Sequence, residues 1–265
     1  SDAVVAQLSS MSQYYPGGRE TIGQGKLHVI RLAGADRYAT NKTVNEYAAA
    51  LSGGTAVGTT NITFGESSKP TALVATGENF ADALSAGPGA LGNAGGHIPL
   101  ILTRSGSLSP SAQAQMSELD IQQAVVLGGT GAVSSAVESA ISGTGVAVKR
   151  IAGANRWETA TKFADFERAP WSATNTAEGG LGFNTDGAGT YLANGYTFAD
   201  ALAGAPLAGG RNQPIVLTDA NTLPTETRSW LKANSSSLNW VTALGLGGAV
   251  STAVLNDANQ AIAGN

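Results

Sequence analysis

The sequence predicts an α/β fold built from two similar units in tandem. Short apolar runs of strand length alternate with segments of helical periodicity, such as Val44, Tyr47, Ala48 and Leu51. These runs are apolar throughout, which is typical of a mainly parallel sheet with helices on both faces. In addition, several blocks of sequence occur twice in the same order.

The duplicated blocks define the repeats. The second copy follows the first by 115 to 119 residues. The pairs are RLAGADRYAT at 31–40 and RIAGANRWET at 150–159, ENFADALSAGP at 78–88 and YTFADALAGAP at 196–206, PLILT at 99–103 and PIVLT at 214–218, and AVS at 132–134 and 249–251. Shared order and spacing indicate an internal duplication. The sequence therefore predicts repeat A at 27–147 and repeat B at 148–265.

Residues 1–26 form an N-terminal segment before repeat A. Its first ten residues, SDAVVAQLSS, resemble SSAVESAISG at 134–143, near the end of repeat A. Two interpretations remain open. The segment is either the last helix of a truncated preceding repeat or an ordinary N-terminal helix.

Local patterns predict the elements of repeat A. Strands are expected at 27–33, 71–76, 98–103 and 124–127. A helix from 80 is expected to break at Gly87-Pro88. Ser109-Pro110 is typical of a helix start, and Ser135 with Glu138 matches a capping box.

Composition excludes several functions. The chain has 265 residues, a net charge of −4, 13% charged residues and no cysteine. Thiol chemistry, disulfides and cysteine-bound metals are therefore excluded, and a general nucleic-acid partner is disfavoured. His28 and His97 have no counterparts in the other repeat, and no metal or serine-nucleophile motif is present. No apolar run is long enough to insert into a membrane. We expect no metal, no cofactor and no catalysis.

Four arginines are repeated at the spacing R-x-x-G-x-x-R. Arg31 and Arg37 in repeat A correspond to Arg150 and Arg156 in repeat B. The planar guanidinium group suits recognition of carboxylates and phosphates. The alternative is a structural ion pair, and the two roles are compatible if the arginines line a groove between the repeats.

The FADAL blocks contain the most suggestive carboxylates, Asp82 and Asp200. Each follows a strand-ending loop and lies in the first turn of a predicted helix, where ligands bind in open α/β sheets. The helix dipole also favours an acidic residue there, so a structural role is open. Glycine loops at 128–131 and 245–248 are weak candidates for anion binding, and the favoured interpretation is a tight turn that requires positive φ.

The blocks RLAGADRYAT, ATGENFADALSAGP, PLILT and VVLGGTGAVS, together with their second copies, resemble the cell-wall-binding repeat type 2 family of Gram-positive bacteria. The resemblance covers nearly all of 27–265. It implies a Toprim-like α/β fold and three repeats around a pseudo-threefold axis. It also implies a secreted, wall-located protein that is held non-covalently by an anionic secondary wall polymer.

A Pro-Ile-Leu-Leu stretch is linked to polymer attachment in that family. The resemblance assigns this role to Pro99, Leu100, Ile101, Leu102, Pro214, Ile215, Val216 and Leu217. The residue pattern instead predicts a buried strand, so substitutions there would act through folding. The chain departs from the family in having two complete repeats, a loop-like insertion at 171–190 and GLGG in the second glycine loop.

Three functions follow as hypotheses. The first is a non-catalytic surface anchor, which duplication favours because two weak sites gain avidity on a repeating polymer. The second is a wall-glycan-acting enzyme that uses Asp82 or Asp200. The third is a self-associating structural surface protein. We further expect the repeated arginines and aspartates to meet between the units, and either a homo-oligomer or a missing third repeat.

Overall fold

A computed structural model describes residues 1–10, 29–51, 59–60, 69–91, 97–170, 179–183 and 188–264. The chain divides into two units, Ser1–Ala33 and Gly34–Asn265. The first unit contains helix α1, Asp2–Ser9, and an exposed ion pair in which Arg31 Nη2 lies 3.2 Å from Asp2 Oδ1. The strand predicted at 27–33 is wrong for residues 29–33, which form no strand, and 27–28 lie outside the described residues.

The second unit contains repeat A from Gly34 onward and repeat B. Its helices are α2 Arg37–Leu51, α3 Ala81–Leu91, α4 Pro110–Glu118, α5 Ser135–Ser142, α6 Arg156–Arg168, α7 Ala199–Gly210, α8 Thr225–Ala233 and α9 Thr252–Ile262. Its strands are β1 Thr59–Thr60, β2 Lys69–Thr76, β3 Leu100–Thr103, β4 Gln123–Leu127, β5 Ala147–Ile151, β6 Ala188–Asn194, β7 Ile215–Thr218 and β8 Leu238–Ala243.

Two mainly parallel sheets form the centres of the repeats. The first has the parallel order β3-β2-β4-β5, with β1 antiparallel to the start of β2. The second has the parallel order β7-β6-β8. The predicted α/β class with parallel sheets is therefore confirmed.

Strand β5 joins the repeats. Its sequence opens the second R-x-x-G-x-x-R block, yet it pairs with β4 of the first repeat, with Val126 opposite Arg150. The amide of Gly128 also donates to the carbonyl oxygen of Ile151 at 2.9 Å. The segment 29–33 holds the equivalent place in repeat A. A strand needs a neighbour for its hydrogen bonds, and no described strand pairs with this segment.

Helices cover both faces of the first sheet, as predicted. Leu73 and Val125 point towards α3 and α6 and pack with Phe163 in one core cluster. Val74 and Val126 point to the opposite face and pack against α4 and α5. The alternation of neighbouring residues between two buried faces explains why the strands are apolar throughout.

The predicted break at Gly87-Pro88 is wrong. Helix α3 continues through Pro88 to Leu91, and α7 continues through Pro206 in the same way. An interior proline costs a helical hydrogen bond, but small residues let the two helices approach closely. A Cβ on Gly87 would lie 2.6 Å from Ala205 Cβ. Close packing between repeats, and not termination of the helix, therefore accounts for the glycine.

The cap of α4 is confirmed and that of α5 is shifted. Ser109 Oγ accepts from the Ala112 amide at 3.2 Å. The predicted capping box at Ser135 is wrong, because Ser134 caps α5 and accepts from Val137. Glu138 instead pairs with Arg150, whose Nη2 lies 2.7 Å from Glu138 Oε2. Glu138, in the first turn of α5, therefore stabilises the position of β5.

The insertion predicted as a loop contributes to the core. Residues 171–178 and 184–187 lie outside the described residues, and β6 already begins at Ala188. Leu181 and Phe183 are almost fully buried against Phe163 and Phe166 of α6. The segment is irregular, as its composition indicates, but it is not simply an exposed loop.

Candidate functional site

Charged side chains gather at the carboxyl ends of the parallel strands. Arg37 and Arg156 begin α2 and α6, and Asp82 and Asp200 lie in the first turns of α3 and α7. Helices that follow strands in an open parallel sheet start at this edge, where ligands usually bind. The duplicated chain therefore presents two related sets of groups.

Arg156 is held by contacts on several sides. Its Nη1 donates to the carbonyl oxygen of Gly195 at 2.5 Å. The guanidinium carbon lies 4.8 Å from the ring centroid of Tyr196 and 6.0 Å from that of Trp157, so both rings make cation–π contacts. Among the described residues only Nη1 has a hydrogen-bond partner. The remaining donors of a fixed, half-buried guanidinium are thus available to a ligand.

Arg37 makes the equivalent contact in repeat A and is exposed. Its Nη1 donates to the carbonyl oxygen of Gly77. Arg104 lies 5.4 Å from the ring centroid of the neighbouring Tyr38. Arg104 is not duplicated, since its counterpart in repeat B is Asp219, so the repeated motifs do not predict it. Its position directly after the PLILT strand was the available signal.

Asp82 lies at the contact between the repeats. Burial raises the pKa of its carboxyl group, and the positive charge of Arg156 from the other repeat acts in the opposite direction. No direct ion pair joins Asp82 and Arg156 in the part of the chain that the structure describes. One predicted arginine and one predicted aspartate are therefore brought into electrostatic contact across the junction.

Each FADAL aspartate also packs on a glycine of the following loop. Gly128 has φ +90° and Gly245 has φ +95°, so both require the left-handed conformation. A Cβ on Gly128 would overlap the carboxylate of Asp82, and one on Gly245 would lie 2.5 Å from Asp200 Oδ2. The tight-turn interpretation of these glycines is correct, and the turn creates the space for each carboxylate.

The first arginine of each motif makes different contacts from the second. Arg31 belongs to the first unit, where it pairs with Asp2. Arg150 donates through Nη1 to the carbonyl oxygen of Gly128 at 2.6 Å and through Nε to Glu138 at 3.0 Å. Arg150 therefore ties β5 to the glycine loop and to α5.

The Pro-Ile-Leu-Leu-like strands are mostly buried. Ile101, Ile215, Val216 and Leu217 are fully buried, Pro99 and Pro214 are buried, and Leu100 and Leu102 are half-buried.

The free edge of the PLILT strand is covered by a side chain. Asn41 Nδ2 donates to the Leu100 carbonyl at 2.8 Å, and its Oδ1 accepts from the Leu102 amide at 2.9 Å. The apolar side chains therefore serve the core, and one part of the backbone edge is already occupied.

No group of three acidic or histidine side chains suited to a metal occurs among the described residues. Burial lowers the pKa of His97, and His28 lies outside the described residues. Within the described ranges, no helix is both long and apolar enough to cross a membrane.

The fold and the duplicated strand-end site define a tandem α/β module. The chain belongs to the cell wall binding domain 2 (CWB2) family, whose family model matches residues 31–138 and 150–255. The resemblance inferred from the motifs is thereby confirmed. CWB2 domains are binding modules, which places this chain among cell-wall-binding surface proteins.

Two relatives from Bacillus subtilis (strain 168) are similar in sequence. N-acetylmuramoyl-L-alanine amidase LytC is 32% identical over 190 residues, which cover 72% of this chain and 34% of that protein. Amidase enhancer is 26% identical over 132 residues, which cover 48% of this chain and 16% of that protein. The chain thus matches about a third or less of each relative's length.

Two solved structures from Clostridium difficile share the fold. Cwp6 superposes with a TM-score of 0.66 and 23% identity, covering 95% of this chain and 35% of that one. Cwp8 superposes with a TM-score of 0.63 and 20% identity, covering 91% of this chain and 35% of that one. Both similarities support the tandem α/β architecture.

Proposed function

We propose that this chain is a non-catalytic anchor that holds a secreted protein to an anionic secondary polymer of a Gram-positive cell wall. Family membership supports wall binding, and the fixed guanidinium of Arg156 at the repeat junction carries the proposal of an anionic ligand. Arg37 provides a related, more exposed cation in repeat A. The chain has a net charge of −4, so cations held at the carboxyl ends of its strands favour a specific anionic ligand over general attraction to anions.

The geometry supports binding more than hydrolysis. Asp82, the strongest candidate for an acid, packs on Gly128 and lies near Arg156, so packing in the turn and the nearby charge account for the carboxylate without catalysis. A polymer with repeating charges can contact both arginines at once, and the second contact gains from the effective concentration set by the first. Binding should weaken as salt rises, because each anionic contact displaces counterions.

The test is co-sedimentation of the purified chain with Gram-positive walls, before and after extraction of their anionic polymers. The double variant Arg37→Ala/Arg156→Ala is compared with Arg211→Ala/Lys232→Ala. The control removes the same charge from exposed residues away from the strand ends.

We expect binding to require the polymer and the two site arginines, with a loss of roughly 1.5–3 kcal/mol for each charged contact. Circular dichroism confirms that the variants fold. Equal binding by both double variants, or binding that survives polymer extraction, contradicts the proposal. Release of soluble glycan by the wild-type chain would favour the enzyme alternative.

A further inference from the structure

Tyr196 combines a fixed position with high exposure. Its amide donates to Asn194 Oδ1 at 2.8 Å, and its ring packs edge-on with Trp157 at a centroid distance of 5.5 Å. Arg156 lies over the ring, as described above. Despite these contacts, the residue is 58% exposed. More than half of the residue's surface is therefore open to solvent, although Arg156 and Trp157 hold the ring in place.

Further aromatic surface lies nearby. Phe198 is 56% exposed, and its ring centroid lies 5.8 Å from that of Phe80, which is also partly exposed. Scattered apolar side chains are normal on a protein surface, whereas contiguous exposed apolar surface marks binding sites.

Repeat A lacks the equivalent of Tyr196. Glu78 occupies that place, and its Oε1 accepts from the Ser105 amide at 3.3 Å. Tyr38 replaces Trp157 and is buried. The two arginines are thus repeated, but the exposed ring beside the arginine occurs in repeat B alone among these equivalent positions.

We propose that Tyr196 is a stacking platform for a sugar ring of the wall polymer, and that Arg156 binds an anionic substituent on that sugar. One face of a pyranose ring carries C–H bonds, which the negative face of an aromatic ring attracts. A cation 4.8 Å from the same ring suits a ligand that combines an apolar face with an adjacent acidic group. This assignment rests on the proposed function and names its sugar-binding residue.

Calorimetric titration of the whole chain tests the assignment with three probes: N-acetylglucosamine, inorganic phosphate and N-acetylglucosamine 6-phosphate. We expect the sugar phosphate to bind about fivefold more tightly than phosphate, the size of effect that one aromatic contact supplies. Tyr196→Phe should retain this advantage. Tyr196→Ala and Tyr196→Glu should abolish it. Equal affinity of the wild type for the sugar phosphate and for phosphate, including no binding of either, overturns the assignment.

A gain of function and a wall assay complete the test. Glu78→Tyr places the missing ring in repeat A, and we expect it to tighten wall binding, whereas Tyr196→Ala should weaken it about fivefold. Wall binding that is lost in Arg156→Ala but unchanged in Tyr196→Ala overturns the stacking role and leaves the anchor function standing. Self-association that disappears in Tyr196→Ala would assign the ring to a protein contact and also overturn it.

Discussion

The carboxylate of Asp82 packs directly against Gly128, a residue with φ +90° that follows the fourth strand of the first repeat. Asp200 and Gly245 repeat this relationship in the second repeat. The glycine thus permits the turn and also leaves room for the acid. Because Arg156 lies near Asp82, the turn contributes to the electrostatics of the junction.

Gly128→Ala should destabilise the protein by about 1–3 kcal/mol, because alanine must adopt positive φ and its Cβ overlaps Asp82. Gly129→Ala is the matched control. A Cβ there meets nothing within 4 Å, and its φ is not positive, so we expect a change within about 0.5 kcal/mol. Chemical denaturation measures both variants. Equal stabilities would show that the turn relaxes without cost.

Asp82→Asn should strengthen binding to anionic walls, because it removes the negative charge that faces Arg156. Burial raises the pKa of Asp82 and Arg156 lowers it, so the neutral amide should also be tolerated in the fold. Asp200→Asn removes the same charge from the equivalent position of repeat B and serves as the control. Weaker binding by Asp82→Asn would indicate that the carboxylate itself contacts the ligand.

Glu167→Gln should change how stability depends on pH. Glu167 is fully buried, and burial raises its pKa well above the usual value, while the Gly89 amide acts in the opposite direction. The folded state therefore holds the proton more tightly than the unfolded state. The contribution of protonated Glu167 to the free energy of unfolding is fully present below the ordinary glutamate pKa of about 4.3. This contribution is lost as pH rises through the raised folded-state pKa.

Thermal unfolding between pH 4 and pH 9 tests this expectation. Wild type and Glu167→Gln should have similar stability at the acidic end, and the glutamine variant should become progressively more stable as pH rises. Parallel curves for wild type and Glu167→Gln would contradict the assignment.

Ile101→Ala should cost about 2–5 kcal/mol of stability, because the side chain is fully buried between the first sheet and α4. Wall binding by the fraction that remains folded should be unchanged. Denaturation and co-sedimentation at the same temperature separate the two effects. Full stability with lost wall binding would assign the Pro-Ile-Leu-Leu-like strand to ligand contact instead.

Leu84 and Leu202 provide a matched pair for testing self-association. They occupy equivalent positions in α3 and α7, but Leu84 is 6% exposed and Leu202 is 62% exposed. Leu84→Ala should destabilise by about 2–5 kcal/mol. Leu202→Ala should change stability by no more than about 0.5 kcal/mol.

If the exposed face of α7 mediates association, light scattering at increasing concentration will show oligomers that Leu202→Ala weakens. A wild-type monomer throughout would argue against a homo-oligomer.

Local patterns determined much of the architecture. The apolar runs placed β2, β3 and β4 correctly, and the spacing of Val44, Tyr47 and Leu51 placed α2. Duplication of the blocks revealed the tandem repeat, and the motifs identified the family. These features are visible in sequence because strand burial and helix periodicity depend on residues close together in the chain.

Tertiary contacts decided the rest. Gly87-Pro88 looks like a helix end, but packing of α3 against α7 carries the helix through it. Strand β5, which ends at Ile151, forms because β4 supplies its partner, whereas residues 29–33 have a similar pattern and form no strand. Tyr196 had no repeated counterpart to mark it. Each of these features depends on residues that are distant in sequence: β5 needs β4, α3 packs on α7, and Asp82 approaches Arg156. Only the folded chain brings such residues together.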